Sequence, residues 1–462
     1  MLLDLSNNRN LHRMLETSFL LFILIQPLID VLAYFNIPIS SLLRVAAILA
    51  GFVYLMGLSK GRWKKFSVTY LAVLFIYLGL HFGNNLIFKD PMSIPAELNY
   101  IFKTAYFLVM LLVYITVIYN ISFKENWLSK VQQYIFINMA FISLIMFIAQ
   151  LTGTGKDSYD MLARQGHSGW FFSGNELSAI LAMGFCAAFL YYLQRRTTAV
   201  KMILLPFIIL MGWSMLTIGT KAAFGGLIFV LGLALFYTIF EAVKHKRFTN
   251  VVIVVSMIVI TAVTVPVSAV GNNLDLAVGP IFENLGSGDE EEGGGEEEAP
   301  PESEGDVPEE DVPEEEQSYS PLQMLVLNGR DEFFGNLVYY YENAPLSQQL
   351  LGMGRGGNYE TSSKFVEMDF FDWFFNFGVI GFVILMLPLA TIGSIIVKHI
   401  IKARFGQVDF PLLFIGLGAC IGLGAGFVAG HVLSSPAPAI YLAIFIGYLY
   451  TLAAKKNRGN NV

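Results

Sequence analysis

The sequence is poor in the residues that build disulfides and histidine metal centres. Its two cysteines, Cys186 and Cys420, both lie inside apolar runs, and it has no CxxC pair. These cysteines predict small buried side chains and no disulfide framework. The six histidines are scattered without HxxxH or HExxH spacing, which gives no support to a histidine-based metal site. We therefore expect neither a metal nor a cofactor.

Charged residues are also scarce, at 14% of the chain, and they are unevenly placed. Residues 289–316 hold 16 of the 36 acidic residues. Without them, 29 basic residues face 20 acidic ones, a net charge of +9 against −7 for the whole chain. The surrounding stretch 284–319 is predicted to be a disordered acidic linker. Calcium binding is the alternative, but the DxDxDG pattern is missing. We expect no nucleic-acid partner.

Apolar residues are abundant instead. The chain is 55% hydrophobic, with 39 Phe, and its apolar runs are long enough to cross a bilayer. We predict an all-α polytopic membrane protein surrounded by a lipid bilayer, with about twelve transmembrane helices. They lie near residues 17–35, 40–58, 67–87, 98–119, 131–151, 174–194, 201–219, 222–240, 252–270, 372–397, 408–428 and 436–454.

The positions of Lys and Arg orient these helices. With the N-terminus inside, the cytoplasmic segments hold 20 of the 29 basic residues and the external segments hold 7. Because cytoplasmic loops of membrane proteins are enriched in Lys and Arg, both termini are predicted to be cytoplasmic, in a multi-pass protein of the cell membrane. The first span follows a polar start without a small-residue cleavage site after it, so we predict an uncleaved helix.

This topology divides the chain into three parts. Residues 1–270 hold helices 1–9, residues 271–371 form a large extracytoplasmic loop, and residues 372–462 hold helices 10–12. Within the loop, residues 320–371 are predicted to be structured and catalytic. They begin with a short helix or two and continue with turns around the glycines of 344–363. A long structured loop on a tightly connected bundle usually carries function.

Four external cations lie beside glycine or at a helix mouth: Arg164, Lys221, Arg330 and Arg355. Arginine forks bind phosphate oxygens in pairs, lysine supplies a point charge, and glycine lets backbone N–H groups come close. The four therefore predict a site for a lipid-linked pyrophosphate. The alternative for each one alone is a residue that snorkels or contacts headgroups.

Three carboxylates, Glu367, Asp369 and Asp372, come just before the tenth span, in the stretch KFVEMDFFDWFFNFGVIGF. Helix capping explains one or two of them, and an interfacial aromatic belt explains some of the Phe. An aromatic-lined mouth with carboxylates also suits sugar rings and a general base. We therefore predict Glu367 or Asp369 as a catalytic base and Asp372 as a substrate-binding residue.

Other polar residues near the external ends of the spans have simpler interpretations. Asp30 and Arg44 are expected to form an interhelical ion pair. Glu176 either occupies a first helical turn, where the dipole favours a carboxylate, or faces a cavity. His431, at the last external hairpin, is either interfacial or a proton acceptor at neutral pH.

Four segments, in order, resemble the O-antigen ligase and polymerase superfamily of bacterial membrane proteins. They are SGWFFSGNELSAILA (168–182), LTIGTKAAFGGLI (216–228), the Gly-Arg and Gly-rich stretch 328–360, and VEMDFFDWFFNFGVIGF (366–382). Lys221 stands where Arg is usual in that family. Glu367-Met368-Asp369 stands where the family has a histidine. Either a carboxylate takes the base role, or His431 supplies it from the last hairpin, or the site has different chemistry.

The resemblance implies a GT-C-like, all-helical glycosyltransferase. Such an enzyme takes an undecaprenyl-pyrophosphate-linked oligosaccharide as donor and joins it to a glycan or cell-envelope acceptor on the extracytoplasmic face, in a metal-independent, inverting reaction. For this chain it implies a polymerase or ligase in cell-surface polysaccharide and cell wall biogenesis. The richness in Phe, Ile, Lys and Asn leans towards a Gram-positive source, which favours a polymer of the capsule, exopolysaccharide or teichuronic-acid type. The alternative is a transporter or flippase of lipid-linked glycan, which twelve spans fit equally well.

Overall fold

The computed structural model describes residues 9–58, 61–124, 126–159, 163–246, 248–276, 330–402 and 408–459. Twelve of the helices in these ranges are long and apolar enough to cross a membrane, which confirms the all-α polytopic prediction. The predicted acidic linker 284–319 lies outside the described residues, and so do residues 320–329 of the predicted catalytic loop.

The helices are α1 Arg9–Tyr34, α2 Ile39–Val53, α3 Gly61–Phe88, α4 Ile94–Ile121, α5 Trp127–Thr152, α6 Gly174–Leu193, α7 Thr198–Thr217, α8 Lys221–His245, α9 Thr249–Thr264, α10 Asp331–Glu342, α11 Leu346–Leu351, α12 Asp369–Lys402, α13 Phe410–Val428 and α14 Pro436–Gly459. A π-helical turn, Tyr54–Leu58, continues α2, and a 3-10 turn, Val265–Val267, continues α9. Two short antiparallel strands, β1 Lys156–Asp157 and β2 His167–Gly169, lie between α5 and α6.

Helices α4, α6 and α14 form the centre of the bundle, where most of their described residues are buried. Small residues bring their backbones together: a Cβ on Gly447 of α14 would lie 3.0 Å from the carbonyl oxygen of Tyr114 on α4. The other spans leave large apolar side chains exposed, as helices that face lipid do. The predicted ion pair is confirmed, with Arg44 Nη2 at 2.6 Å from Asp30 Oδ1.

The loops on one side of the bundle gather at what we call the long-loop end, formed by residues 153–173, 218–220, 330–368 and 429–435. Helix α10 lies where a short helix is predicted. Helix α11 is a further helix of six residues, in the stretch 344–363 that is predicted to form turns. A second hydrophobic cluster, separate from the main core, joins α10, the stretch 353–368 and the start of α12. The long-loop end is therefore a packed structure in its described part.

Helix α12 is broken at Gly378, which has φ 66° and ψ −178°. The break frees backbone carbonyls, and the loop that follows α11 bonds them: Met353 N donates to Phe375 O at 3.2 Å and Gly354 N to Asn376 O at 2.9 Å. A Cβ on Gly378 would lie 2.5 Å from Gly352 N, so this close approach requires glycine. The sequence predicts an uninterrupted span here and does not show the break.

Candidate functional site

A cavity of about 760 Å³ opens between α6, α8, α13 and the long-loop end. Polar residues line one part of it: Tyr159, Arg164, Asn175, Thr220, Lys221, Asn273, Arg330 and Glu367. Small and apolar residues of α6, α8 and α13 line the other part: Ala179, Ala182, Gly225, Gly226, Phe229, Leu417, Cys420, Ile421, Gly424 and Ala425. One pocket thus joins a cationic region to an apolar one.

The cationic region combines three of the four predicted phosphate-binding residues, Arg164, Lys221 and Arg330. Lys221 begins α8, whose N-cap is Thr220; the Thr220 hydroxyl accepts a hydrogen bond from Ala223 N at 3.3 Å. Ser178 of α6 contacts the same hydroxyl at 2.6 Å. Because the first turn of a long helix carries a partial positive charge, α8 adds to the attraction that these side chains have for an anion.

Asn273 holds the two loops that carry Arg164 and Lys221. It lies in a helical segment of residues 269–276. Its Nδ2 donates to Gln165 O at 2.6 Å and to Gly219 O at 2.8 Å, and its Oδ1 accepts from Gln165 N at 2.8 Å. Sequence reasoning missed this residue, because no spacing signal connects an Asn to Gly219 and Gln165, 54 and 108 positions away.

Tyr159 was also missed, and it lines the cavity next to Arg164. Its hydroxyl donates to Gly219 O at 3.3 Å, and the Arg164 guanidinium lies 5.8 Å from the centre of its ring. Burial raises the pKa of the Tyr159 hydroxyl, and the Arg164 charge opposes that shift. The ring and the cation form one wall of the site.

Glu367 is the predicted carboxylate that lines the cavity. Its Oε2 lies 3.6 Å from Arg330 Nη2, and its side chain is 49% exposed. Arg330 also donates from Nη1 to Val428 O at 3.0 Å, which ties the start of α10 to the end of α13. Glu367 has a φ of 58°, and Gly430 packs against its carbonyl group. This unusual backbone conformation directs an accessible carboxylate towards the cations.

Asp369 and Asp372 lie outside the cavity lining and are buried. Asp369 accepts hydrogen bonds from Val432 N at 2.7 Å, Leu433 N at 2.8 Å and the Ser434 hydroxyl at 2.6 Å. Asp372 Oδ1 accepts from Val366 N at 2.9 Å. These bonds give both carboxylates a structural role: Asp372 holds Val366, next to Glu367, and Asp369 holds the hairpin whose Gly430 packs against the Glu367 carbonyl.

His431 and Arg355 are likewise absent from the cavity lining. His431 has a φ of 58° and follows Gly430 in the hairpin that Asp369 holds. The backbone N of Arg355 donates to both carboxylate oxygens of Glu97, at 2.8 and 3.0 Å, and its guanidinium donates to Ser363 Oγ at 3.3 Å. The structure therefore brings four of the eight predicted site residues together: Arg164, Lys221, Arg330 and Glu367.

Among the described residues, no group of three or more His, Cys, Asp or Glu side chains is arranged to hold a metal ion. Half-exposed Glu367 lies beside Arg330 and lines the same cavity as Arg164 and Lys221.

These features define a class: a multi-pass membrane protein whose helices enclose a cavity with a cationic head and an apolar body. Residues 13–455, nearly the whole chain, match the family described as O-antigen ligase like membrane protein. The chain belongs to this family, so it is a membrane enzyme of surface-glycan assembly with glycosyltransferase-type activity. A search of the curated proteins finds no match.

Proposed function

We propose that the protein transfers an oligosaccharide from undecaprenyl pyrophosphate to a glycan or cell-envelope acceptor on the extracytoplasmic face. The observation that carries this proposal is the shared cavity, which is lined by Arg164, Lys221, Arg330 and a half-exposed Glu367. The three cations and the N-terminus of α8 hold the pyrophosphate, whose negative charge they neutralise. The bilayer surrounds the helices.

The apolar part of the cavity suits the prenyl chain of such a donor. Gly225 and Gly226 of α8 and Gly424 and Ala425 of α13 line this part, and these small residues leave room between the helices. A chain of isoprene units would lie among these residues while its pyrophosphate stays at the cationic head. One ligand with a long apolar tail and a doubly charged head accounts for both parts of the cavity.

Glu367 acts as the general base in this proposal. It accepts the proton of the acceptor hydroxyl as that oxygen forms a bond to the anomeric carbon of the donor sugar. The bond between that carbon and the pyrophosphate oxygen breaks, and the pyrophosphate leaves with the electron pair. Arg330, 3.6 Å from Glu367, stabilises the charge that develops on the leaving group. Attack from the face opposite the leaving group inverts the anomeric configuration.

The other predicted site residues have different places in this proposal. Asp369 and Asp372 fix the backbone around Glu367, and Arg355 belongs to the loop after α11. His431 lies in the hairpin against Glu367. A polymerase and a ligase share this donor chemistry and differ in their acceptor. A surface polymer of the capsule or exopolysaccharide type is the product that we propose.

Replacing Arg330 with Ala tests the proposal. Loss of one charge-stabilising donor typically lowers a rate by about 100-fold to 1,000-fold. Glycan transfer by purified Arg330→Ala should fall by that factor with the protein still present in the membrane. The matched control is Lys156→Ala, which removes an exposed cation of the 153–173 loop that does not line the cavity. Near-normal transfer by Arg330→Ala would exclude this site as the place of reaction.

A further inference from the structure

Four polar residues lie along one face of α3 and its C-terminal end, each four positions after the last: Tyr77, His81, Asn85 and Lys89. Residues at this spacing follow one side of a helix. His81 and Asn85 are fully buried, and Lys89 is 7% exposed. A row of buried polar groups in a membrane helix requires partners, because each unpaired group is costly in an apolar surrounding.

The partners are backbone carbonyls of one segment, residues 351–357, which we call the glycine loop. Tyr77 and His81 contact Leu351 O at 2.9 and 2.7 Å, and Asn85 Nδ2 donates to Gly352 O at 3.1 Å. Lys89 Nζ donates to Met353 O at 3.1 Å, to Arg355 O at 2.9 Å and to Gly357 O at 2.9 Å. The polar side chains on this face of α3 therefore form hydrogen bonds with five successive or nearly successive carbonyl groups of the glycine loop, those of residues 351, 352, 353, 355 and 357.

Lys89 and Glu97 form a buried ion pair at the end of this row. Lys89 Nζ lies 2.9 Å from Glu97 Oε1, and both side chains are only 2% exposed. Glu97 also accepts the two hydrogen bonds from Arg355 N. Burial lowers the pKa of the Lys89 ammonium, and the Glu97 carboxylate opposes that shift. The pair thus forms both kinds of hydrogen bond with the glycine loop: Lys89 donates to its carbonyl groups, and Glu97 accepts from a backbone N–H group.

The glycine loop in turn fixes the first part of α12. Besides filling the break at Gly378, it donates from Gly356 N to Asn376 Oδ1 at 3.1 Å. The same part of α12, from Asp369 to Phe377, carries Asp372, which accepts from Val366 N next to Glu367, and Asp369, which holds the hairpin that packs against the Glu367 carbonyl. A continuous set of hydrogen bonds therefore connects Lys89 and Glu97 to the conformation of Glu367.

We propose that Lys89 and Glu97 are positioning residues for glycosyl transfer: they hold the glycine loop in the break of α12 and thereby set the place of Glu367. This inference rests on the proposed function. It assigns a task to a buried pair that does not touch the cavity and that the sequence does not single out.

The test replaces the pair with apolar residues of similar size, Lys89→Met with Glu97→Leu. An apolar pair fills the same space and leaves no buried charge without its partner. It cannot bond the glycine loop. Two measurements follow on the full-length protein in detergent: the rate of trypsin cleavage after Arg355, and the kcat and donor KM of glycan transfer. The control replaces a different interhelical ion pair, Asp30→Leu with Arg44→Met, which does not contact the loop.

We expect the apolar pair to fold with a lower melting temperature, because the carbonyls that Lys89 bonds and the backbone N–H of Arg355 lose their partners. We also expect cleavage after Arg355 to become at least about tenfold faster and kcat to fall at least about tenfold. Donor KM should change little, because the cations that hold the pyrophosphate lie in the cavity. The control should keep Arg355 protected. Wild-type cleavage and wild-type kcat in the apolar pair would overturn the inference.

Two further outcomes are also decisive. If the double variant does not fold, Glu97→Gln is the second variant, because it keeps the size of the side chain and removes its charge. We then expect faster cleavage after Arg355 and a lower kcat at an unchanged donor KM. Wild-type values would overturn the inference. If the wild type transfers no glycan, the proposed function fails. The trypsin cleavage rate still tests whether the pair holds the glycine loop. Faster cleavage after Arg355 in the apolar pair, with wild-type cleavage in the control, would support that the pair holds the loop.

Discussion

At the scale of single residues, three neighbouring carboxylates have two kinds of task. Glu367 lines the cavity with the cations, whereas Asp369 accepts hydrogen bonds from the hairpin 429–435 and Asp372 accepts one from Val366 N, next to Glu367. The sequence places all three at a helix mouth but cannot rank them. Their difference comes from the positive φ of Glu367 and from bonds to residues 432–434, which are distant in the chain.

Replacing Glu367 with Gln tests the base. The amide keeps the size of the side chain but accepts no proton, so kcat should fall by roughly 100-fold or more. Donor KM should stay nearly unchanged, since the amide does not remove the cations that bind the pyrophosphate. Steady-state kinetics of the purified protein measures both. Glu360→Gln, at an exposed position of the same loop, is the control. Unchanged kcat in Glu367→Gln would assign the base to another residue.

Asp369 should respond differently to the same kind of change. In Asp369→Asn, one carboxylate oxygen becomes an NH₂ group that faces backbone donors, so the hairpin 429–435 loses hydrogen bonds. Hydrogen bonds to a charged group are worth about 1.5–3 kcal/mol each, and we expect a clearly lower melting temperature in detergent. Glu367→Gln, measured alongside, should melt like the wild type. A stable Asp369→Asn that has lost only its activity would contradict the structural role.

At the scale of elements, hydrophobic runs predict the twelve spans well, because each must bury its backbone and match the thickness of a bilayer. The break in α12 escapes prediction. A glycine in an apolar run is common in membrane helices, and only the approach of Gly352 shows why Gly378 is needed. Lys89 and Glu97 escape for a similar reason, since each looks like an ordinary loop or helix-end charge until the fold pairs them.

Substituting Gly378 tests the break. Gly378→Ala places a Cβ 2.5 Å from Gly352 N in a backbone conformation that side chains rarely adopt, so we expect a loss of about 1–3 kcal/mol in stability, and more if the clash is not relieved. Gly393→Ala, on the same helix, meets no atom within 4 Å and should be neutral or slightly stabilising. Thermal unfolding of the two purified variants makes the comparison, and equal melting temperatures would argue against a required break.

At the scale of the whole molecule, the sequence groups the cations by membrane face but not by their position on that face. Arg164, Lys221 and Arg330 line the cavity together, whereas Arg355 lies in the glycine loop against Glu97. The charge bias and the glycine content of the sequence cannot distinguish a cation that lines the cavity from one that lies in the glycine loop. Long-range hydrogen bonds set these positions. Asn273 joins the loops of Arg164 and Lys221, and the carbonyls at the α12 break hold the glycine loop with Arg355.

The orientation in the membrane gives a further prediction. In a variant with Cys186→Ala and Cys420→Ala, a cysteine in place of Lys156 should react with a membrane-impermeant maleimide added to intact cells. A cysteine in place of Lys64 should react only after the cells are permeabilised, because the bias of Lys and Arg places that end of the bundle in the cytoplasm. The reverse pattern would put the cavity on the cytoplasmic side.

The most direct test of the whole account is an assay of the purified protein in detergent with an undecaprenyl-pyrophosphate-linked oligosaccharide and a glycan acceptor. Detergent removes the two compartments that a transporter needs, so only an enzyme changes the glycan. We predict a longer or transferred glycan together with released undecaprenyl pyrophosphate. Unchanged donor under these conditions, with movement of the same lipid-linked glycan across vesicles that contain the protein, would contradict the account.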